Sequence, residues 1–223
     1  MTTNVIKDAY RTHFKVVGVA LDRDGLAAAQ ALTASTAMTL AGALTSGGTF
    51  TAGDGSNCRV GKLIGVYSGD NISTVVFTIV GTDPDGLALS ETVTGVNAST
   101  VFTTKYFYTV TSVTPSDTSA SLVEVGQGTT FATQRIPVSH HTQNGFTMAI
   151  GVEATGTFSV TAQHTMTDLM DESVTPTYIA DTSFATKTAT YFQTQAILVT
   201  ATRFIAVSYT GTPTFYFHAI QAR

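Results

Sequence analysis

"STVVFTIVGTDPDGLALSETVTG", residues 73–95, sets two alternating runs on either side of two aspartates, a proline and a glycine. In the first run Val75, Phe77 and Ile79 fall on one face of an extended chain, because successive strand side chains point to opposite sides. In the second, Ala88, Ser90, Thr92 and Thr94 alternate with Leu89, Glu91 and Val93, so small groups occupy one face. Pro84 presets the first central residue of a β-turn, Asp suits the adjoining positions, and Gly86 can supply a positive φ. The stretch predicts a hairpin, and it sets the reading of the chain around it as strands and tight turns.

Upstream, "VGKLIGVYS" (60–68) is a second β-rich run, joined through "GDNI" to the first and expected to form a hairpin with it. Downstream, "VFTTKYFYTVTSV" (101–113) reads as one long strand with Phe102, Tyr106, Tyr108 and Val110 on one side and Phe107 on the other. "ASLVEVGQG" returns, and "QGTTFATQRIPVS" (127–139) has the composition of a crossing into a second unit. There the logic repeats. "GFTMAIGVE" places Phe146, Met148, Ile150 and Val152 on one face, "GTFSVTAQHT" does the same for Phe158, Val160, Ala162 and His164, and "EATG" between them suggests a hairpin. "AILVT", "RFIAVSYTG" and "TPTFYFHAIQA" supply three more strands.

Residues 26–48, "LAAAQALTASTAMTLAGALTSGG", mix Ala with Thr, Ser and Gly, which favours an extended arm over the alternative of an amphipathic helix across 25–32. The expectation is a mainly β protein with two antiparallel sandwich-like domains and an extended N-terminal arm. The arm and first strands take residues 1–58, the first domain 59–130, and the second 131–223. The arm is expected to reach onto a neighbouring subunit.

Composition narrows the function classes. Of 223 residues, 12% are charged and the net charge is −4, with no basic cluster, so the electrostatic footprint of nucleic-acid binding is missing. A single cysteine, Cys58, rules out an intrachain disulfide. Charges at Lys7, Asp8, Arg11 and Lys15 interrupt the N-terminal apolar residues as no signal peptide would, and no run approaches the roughly twenty apolar residues of a membrane helix. Folding in a cytosol is expected. A surface covered by Thr, Ser, Asn and Gln suits wet contacts with other subunits.

No stretch carries a reaction. The acids of "TDPDG" and of "LDRDG" (21–25) could be ion ligands, but Asp83, Asp85 and Glu91 do not reproduce the spacing of a calcium loop, whose ion takes six to eight oxygens. Both are better read as turns. Adjacent His140 and His141 would face opposite sides of a strand, and His13, His164 and His218 are scattered, so no metal site is assigned. No nucleophile motif occurs. "DLMDES" (168–173) is the one acidic cluster and reads as a solvated loop, with no carboxylate pair for glycoside chemistry. Tyr106, Phe107 and Tyr108 lack the cations that a base-stacking surface needs, and nothing marks Cys58 as a nucleophile. No catalytic residue, cofactor or metal is therefore expected, and the chain is not read as an enzyme.

The order of these stretches nevertheless resembles a group of virion structural proteins of tailed bacteriophages. In that group a "TGTDxDGxxxSETxTG" unit precedes "TxxYFxxVTSV" and a short "VxVG" strand, matched here by "VGTDPDGLALSETVTG", "TTKYFYTVTSV" and "VEVGQG". "FSVTAQHTMTDLMDESVTPTYI" and "ATRFIAVSYTGTPTFYFHAIQA" are similar to its "YTVQHTFDDP" segment and closing "TAIRLxxTSGTGTVTLTVIQ" hairpin. The likeness runs from about residue 21, and "HTMTDLMDES" departs from it by lacking the paired aromatic and proline. It implies a homo-oligomeric, non-enzymatic virion protein made in the host cytoplasm, without nucleic-acid or membrane partners. The role implied first is a capsid decoration or cement protein bridging major capsid subunits. A neck, tail or fibre component is the alternative, and a carbohydrate-binding module on the particle surface a third.

Overall fold

The computed structural model describes residues 11–53, 55, 57–138, 148–169, 174–195 and 199–221. In chain order its strands are β1 (Arg11–Val17), β2 (Asp22–Leu32), β3 (Thr45–Ser46), β4 (Thr49–Thr51), β5 (Val60–Ser68), β6 (Val76–Thr82), β7 (Ala88–Thr94), β8 (Thr100–Phe102) and β9 (Thr109–Pro115). They continue as β10 (Ser119–Thr133), β11 (Ile136–Pro137), β12 (Met148–Ala154), β13 (Phe158–Thr165), β14 (Ile179–Ala180), β15 (Tyr191–Gln195), β16 (Ala201–Tyr209) and β17 (Thr214–Gln221). One turn of 3-10 helix, Thr182–Phe184, is the only helical element among the described residues. The protein is mainly β and its strand pairings are antiparallel, as the alternation predicts.

Two hydrophobic cores fill the space between three sheets. A five-stranded sheet, β3-β4-β9-β6-β7, faces part of an eight-stranded sheet built on β14-β13-β16-β10-β5-β8 with β2 and β11 alongside. Leu26, Phe50, Ile64, Phe77, Phe107 and Val125 close the core between them. A four-stranded sheet, β1-β17-β12-β15, covers the other part of the eight-stranded sheet. That second core is aromatic: Phe131, Phe158, Phe184, Phe204, Phe215 and Phe217 are all at most 3% exposed, and their rings meet edge-on or stacked, at centroid distances such as 5.3 Å for Phe131 and Phe215.

The crossing expected at 127–139 begins within a strand. β10 runs unbroken from the first sandwich into the second, pairing with β5 on one side from Val123 to Thr133. On its other side β2 is the neighbour up to Gln127, and β16 takes over at Phe131. The change falls in "QGTTF", where the register against β5 slips so that Gln127 faces Ile64 and Phe131 faces Lys62. Such a bulge bends a strand and re-aims its side chains, which turns Phe131 into the second core while Val125 stays in the first.

Consecutive strands mostly arch between sheets. β5 and β6, expected as a hairpin, lie in different sheets, because Ile72 and Val75 in the connection are buried at 1% and 3% exposure and carry the chain across the core. The long strand expected over 101–113 is two, β8 and β9, on opposite sheets. The break is fixed by Thr103, whose hydroxyl accepts the Ile64 N–H and donates to the Lys105 carbonyl, and by fully buried Phe107. β12 and β13 are likewise split between sheets rather than joined as a hairpin. In the first and third of these cases the faces were read correctly, with Phe77, Ile79, Met148, Ile150, Val152, Val160 and Ala162 buried, whereas over 101–113 Phe102 is exposed and Phe107, expected on the opposite side from Val110, is buried like it. Phe146 lies outside the described residues, as do residues 196–198 of "AILVT".

From Arg11 the N-terminal region is built into the sheets of its own chain. β1 pairs with β17 of the same chain, with His13 opposite His218 and Phe14 opposite Phe217. The outer edge of β1 is covered too, by Asn57, whose side-chain carbonyl accepts the Lys15 N–H and whose amide donates to the His13 carbonyl. This satisfies backbone groups that an open edge would offer to another chain. β2, over 22–32, is extended rather than helical.

Candidate functional site

The hairpin of the opening stretch is real, with Thr82 opposite Ala88 and five residues between them. Asp83 builds its turn. Its Oδ1 accepts the N–H groups of Asp85 and Leu87, both at 2.9 Å, while the Gly86 N–H donates to the Asp83 carbonyl at 3.0 Å. Gly86 has φ +89°, a conformation that costs glycine little and other residues much.

Asp85 has a different task. Its Oδ1 accepts the Arg135 N–H at 2.8 Å, with the Arg135 guanidinium at 3.9 Å, and its own carbonyl accepts from Arg59 at 3.2 Å. The turn of the first sandwich is thus clasped to the chain just past the end of β10, in the second. Burial pushes the Asp85 carboxyl above its ordinary value, and the hydrogen bond from Arg135 opposes this in part.

Glu91, from the same stretch, fixes the next loop. Its two oxygens accept the N–H groups of Thr104 and Lys105 and the Thr104 hydroxyl, at 2.8–3.0 Å. Beside this loop a cleft of about 280 Å³ opens between the sandwiches, lined by Pro84, Lys105, Tyr106, Pro176, Tyr178 and Arg203 among others. Arg203 Cζ lies 3.7 Å from the centre of the Tyr178 ring and 5.9 Å from that of Tyr106, and its Nε donates to Gln163 at 2.9 Å. Burial pushes the Tyr178 hydroxyl up to about 12, raises Tyr106, and lowers Arg203. Stretches far apart in the sequence, "TDPDG", "SET", "TTKYF", "TPTY" and "ATRF", meet at this joint.

The other residues singled out from the sequence stay apart. "LDRDG" is no hairpin turn. It is the irregular start of β2, where Asp22 faces Gln127 and Ala27 already faces Val125. His164 sits on β13 with Nδ1 2.9 Å from the Thr202 hydroxyl and Nε2 3.2 Å from Asp181. Asp181 also accepts from Gln193 and from the Ser183 N–H. With Thr202 fully buried, the hydroxyl of this trio cannot meet a substrate, and the group ties β13, β16 and the 3-10 turn together. His13 and His218 lie side by side on the outer surface of the four-stranded sheet, their rings tilted with centroids 4.8 Å apart, and Glu153 is 3.4 Å from His218. Among the described residues no group of three or more His, Cys, Asp or Glu is placed to hold a metal ion. Cys58 packs half-buried against the second core. His140, His141 and residues 170–173 of "DLMDES" lie outside the described residues.

Arg203, Tyr178, Arg135 and Lys62 were not foreseen. The signal for two of them was a lone cation inside an apolar strand pattern, "TRFIAV" and "VGKLIGV". Lys62 is 1% exposed, with Nζ 4.8 Å from the centre of the Phe131 ring and 3.5 Å from the Tyr209 hydroxyl. That hydroxyl in turn bonds both the N–H and the carbonyl of Val19 at 3.0 Å. Burial pulls Lys62 down to about 7.

No family model and no curated protein matches the chain. Among solved structures, the crystal structure of PBSX exported protein XepA aligns with TM-score 0.28 and 11% identity, over 87% of this chain and 84% of that one. The crystal structure of the major capsid protein P2 from Bacteriophage PM2 aligns with TM-score 0.23 and 12% identity, over 95% and 97%. At such TM-scores neither alignment carries an argument about fold or function.

Proposed function

We propose that the chain is a non-enzymatic structural component of a tailed-bacteriophage virion, acting as a homo-oligomeric capsid decoration or cement protein that bridges major capsid subunits. The observation that carries the reading is how the residues of the resemblance are used. Oδ1 of Asp83, Oδ1 of Asp85 and both oxygens of Glu91 accept backbone N–H groups. These three acids act as fasteners of a two-lobed β body. A protein of this kind adds binding free energy to the assembled shell alone, and repetition over a symmetric lattice multiplies a modest contact.

Quantitative mass spectrometry of purified particles, with and without tails, tests the proposal. Several hundred copies retained on tailless heads is the expected result. A dozen or fewer, lost with the tails, would move the protein to the neck, tail or fibre, and absence from particles would end the virion reading.

A further inference from the structure

We infer that the cleft between the two sandwiches is a binding site for a carboxylate-bearing ligand, received by the guanidinium of Arg203. The group is mostly buried, yet its one hydrogen bond to the described residues is from Nε to Gln163. No carboxylate among them lies within ion-pair distance of it, so toward the described residues both terminal amines keep their donors unspent. A cation drawn out of water without a partner is costly. Asp85 and Asp83 favour its charge without pairing with it. Asp85 is engaged by Arg135, Glu91 holds the Thr104–Lys105 backbone, and Asp83, which also lines the cleft, spends Oδ1 on its own turn.

The geometry is that of a prepared receptor. Stacking on Tyr178 at 3.7 Å and the bond to Gln163 fix the plane of the guanidinium, so a planar carboxylate can accept two parallel N–H bonds with little further ordering. Lys105 stands on the rim as a second cation, its backbone fastened by Glu91 and its Nζ 3.3 Å from the Ser90 carbonyl. Pro84, Leu89, Tyr106 and Pro176 make the remaining wall largely apolar. The ligand is therefore an acid with a flat or apolar body of about side-chain size. It can come as a free small acid or as the carboxylate at the end of a partner polypeptide.

Benzoate and benzamide, equal in shape and different in charge, are the probes. Calorimetric titration of the full chain should show benzoate binding roughly tenfold more tightly than benzamide, the difference a charge-assisted pair brings. In the NMR spectrum benzoate alone should shift the Arg203 Nε–H resonance. Lys105→Gln, at the exposed rim, should weaken benzoate roughly threefold with at most a small change in thermal melting. Arg203→Gln should abolish the preference for benzoate, and is read only if its melting curve shows a folded protein. Equal affinity for the two probes, or an Arg203 resonance unmoved at saturating benzoate, would overturn the inference. A short peptide tested with a free and with an amidated C-terminus then assigns the source. Tighter binding of the free form than of benzoate indicates a polypeptide end, and the reverse a small acid.

Discussion

The carboxylate of Asp85 accepts the backbone N–H of Arg135 across fifty positions of sequence, at 2.8 Å. An acceptor is needed there, and a charge is not. Asp85→Ala leaves the Arg135 N–H without its partner and is expected to cost about 1–3 kcal/mol. Asp85→Asn keeps an acceptor. Because the folded protein raises the Asp85 pKa, the benefit of the protonated form is present below the ordinary carboxylate range and lost as pH rises through the folded value. At neutral pH the charge is thus a net cost, and Asp85→Asn should be at least as stable as the wild type. Urea unfolding of both variants checks this, and equal losses would show that the charge matters after all.

Gly86 and Asp83 make the turn that delivers Asp85. A Cβ on Gly86 would stand at φ +89° and 2.7 Å from Arg59 Nη1, so Gly86→Ala should lose about 1 kcal/mol. Asp83→Ala, which deletes two hydrogen bonds, should lose about 1–2 kcal/mol, and Asp83→Asn much less. Thermal unfolding monitored by circular dichroism gives the order.

Lys62 gives the protein an alkaline rise in stability. Its pKa falls from an ordinary 10.5 to about 7 on folding, so between these values the unfolded chain binds a proton that the folded chain does not. Its contribution is greatest above the unfolded value and is lost as pH falls through about 7. Lys62→Met should flatten the rise between pH 7 and 9.5 and, by removing a buried ammonium, gain on the order of 1–3 kcal/mol at pH 7. Denaturant melts across that range would show it. A wild-type stability independent of pH there would count against the buried cation.

The Tyr178 hydroxyl is buried without a hydrogen-bond partner among the described residues. Tyr178→Phe keeps the ring under Arg203 and removes that orphan, so stability should hold or rise by up to about 1 kcal/mol. A clear loss in calorimetric melting would show that the hydroxyl has a partner, such as an ordered water.

Alternation told the buried side where the strand was continuous, as Val75, Phe77, Ile79, Met148, Ile150 and Val152 show, and failed over 101–113, where the chain breaks at Thr103 and Phe107 and Val110 are both buried. It could not tell partners, because a strand shows the same period whether it folds back beside its neighbour or arches to the facing sheet. "GDNISTV" looked like a hairpin loop for this reason, although Ile72 and Val75 at its end were the apolar residues of an arch. "QGTTFATQ" looked like a linker because Gly and Thr suit turns, yet they also suit a bulge, and Val125 and Phe131 on either side needed burial in different cores. The joint was half legible. Asp83, Asp85 and Glu91 stood out as motif residues, while Arg135, Tyr178 and Arg203 come from the second half of the chain, and only the fold brings them beside the first.

The pairing of β1 with β17 has a consequence for how the chain is made. A nascent polypeptide leaves the ribosome N-terminus first, and the first sandwich has all its strands once β10 has emerged. β1 must wait. Phe14 and Val16 belong to a core that cannot close until Phe215 and Phe217 arrive from the last strand. Throughout synthesis those two side chains remain exposed on an unpaired strand, the slowest and most non-local contact in the fold. The cell's chaperones would be the first to meet this surface.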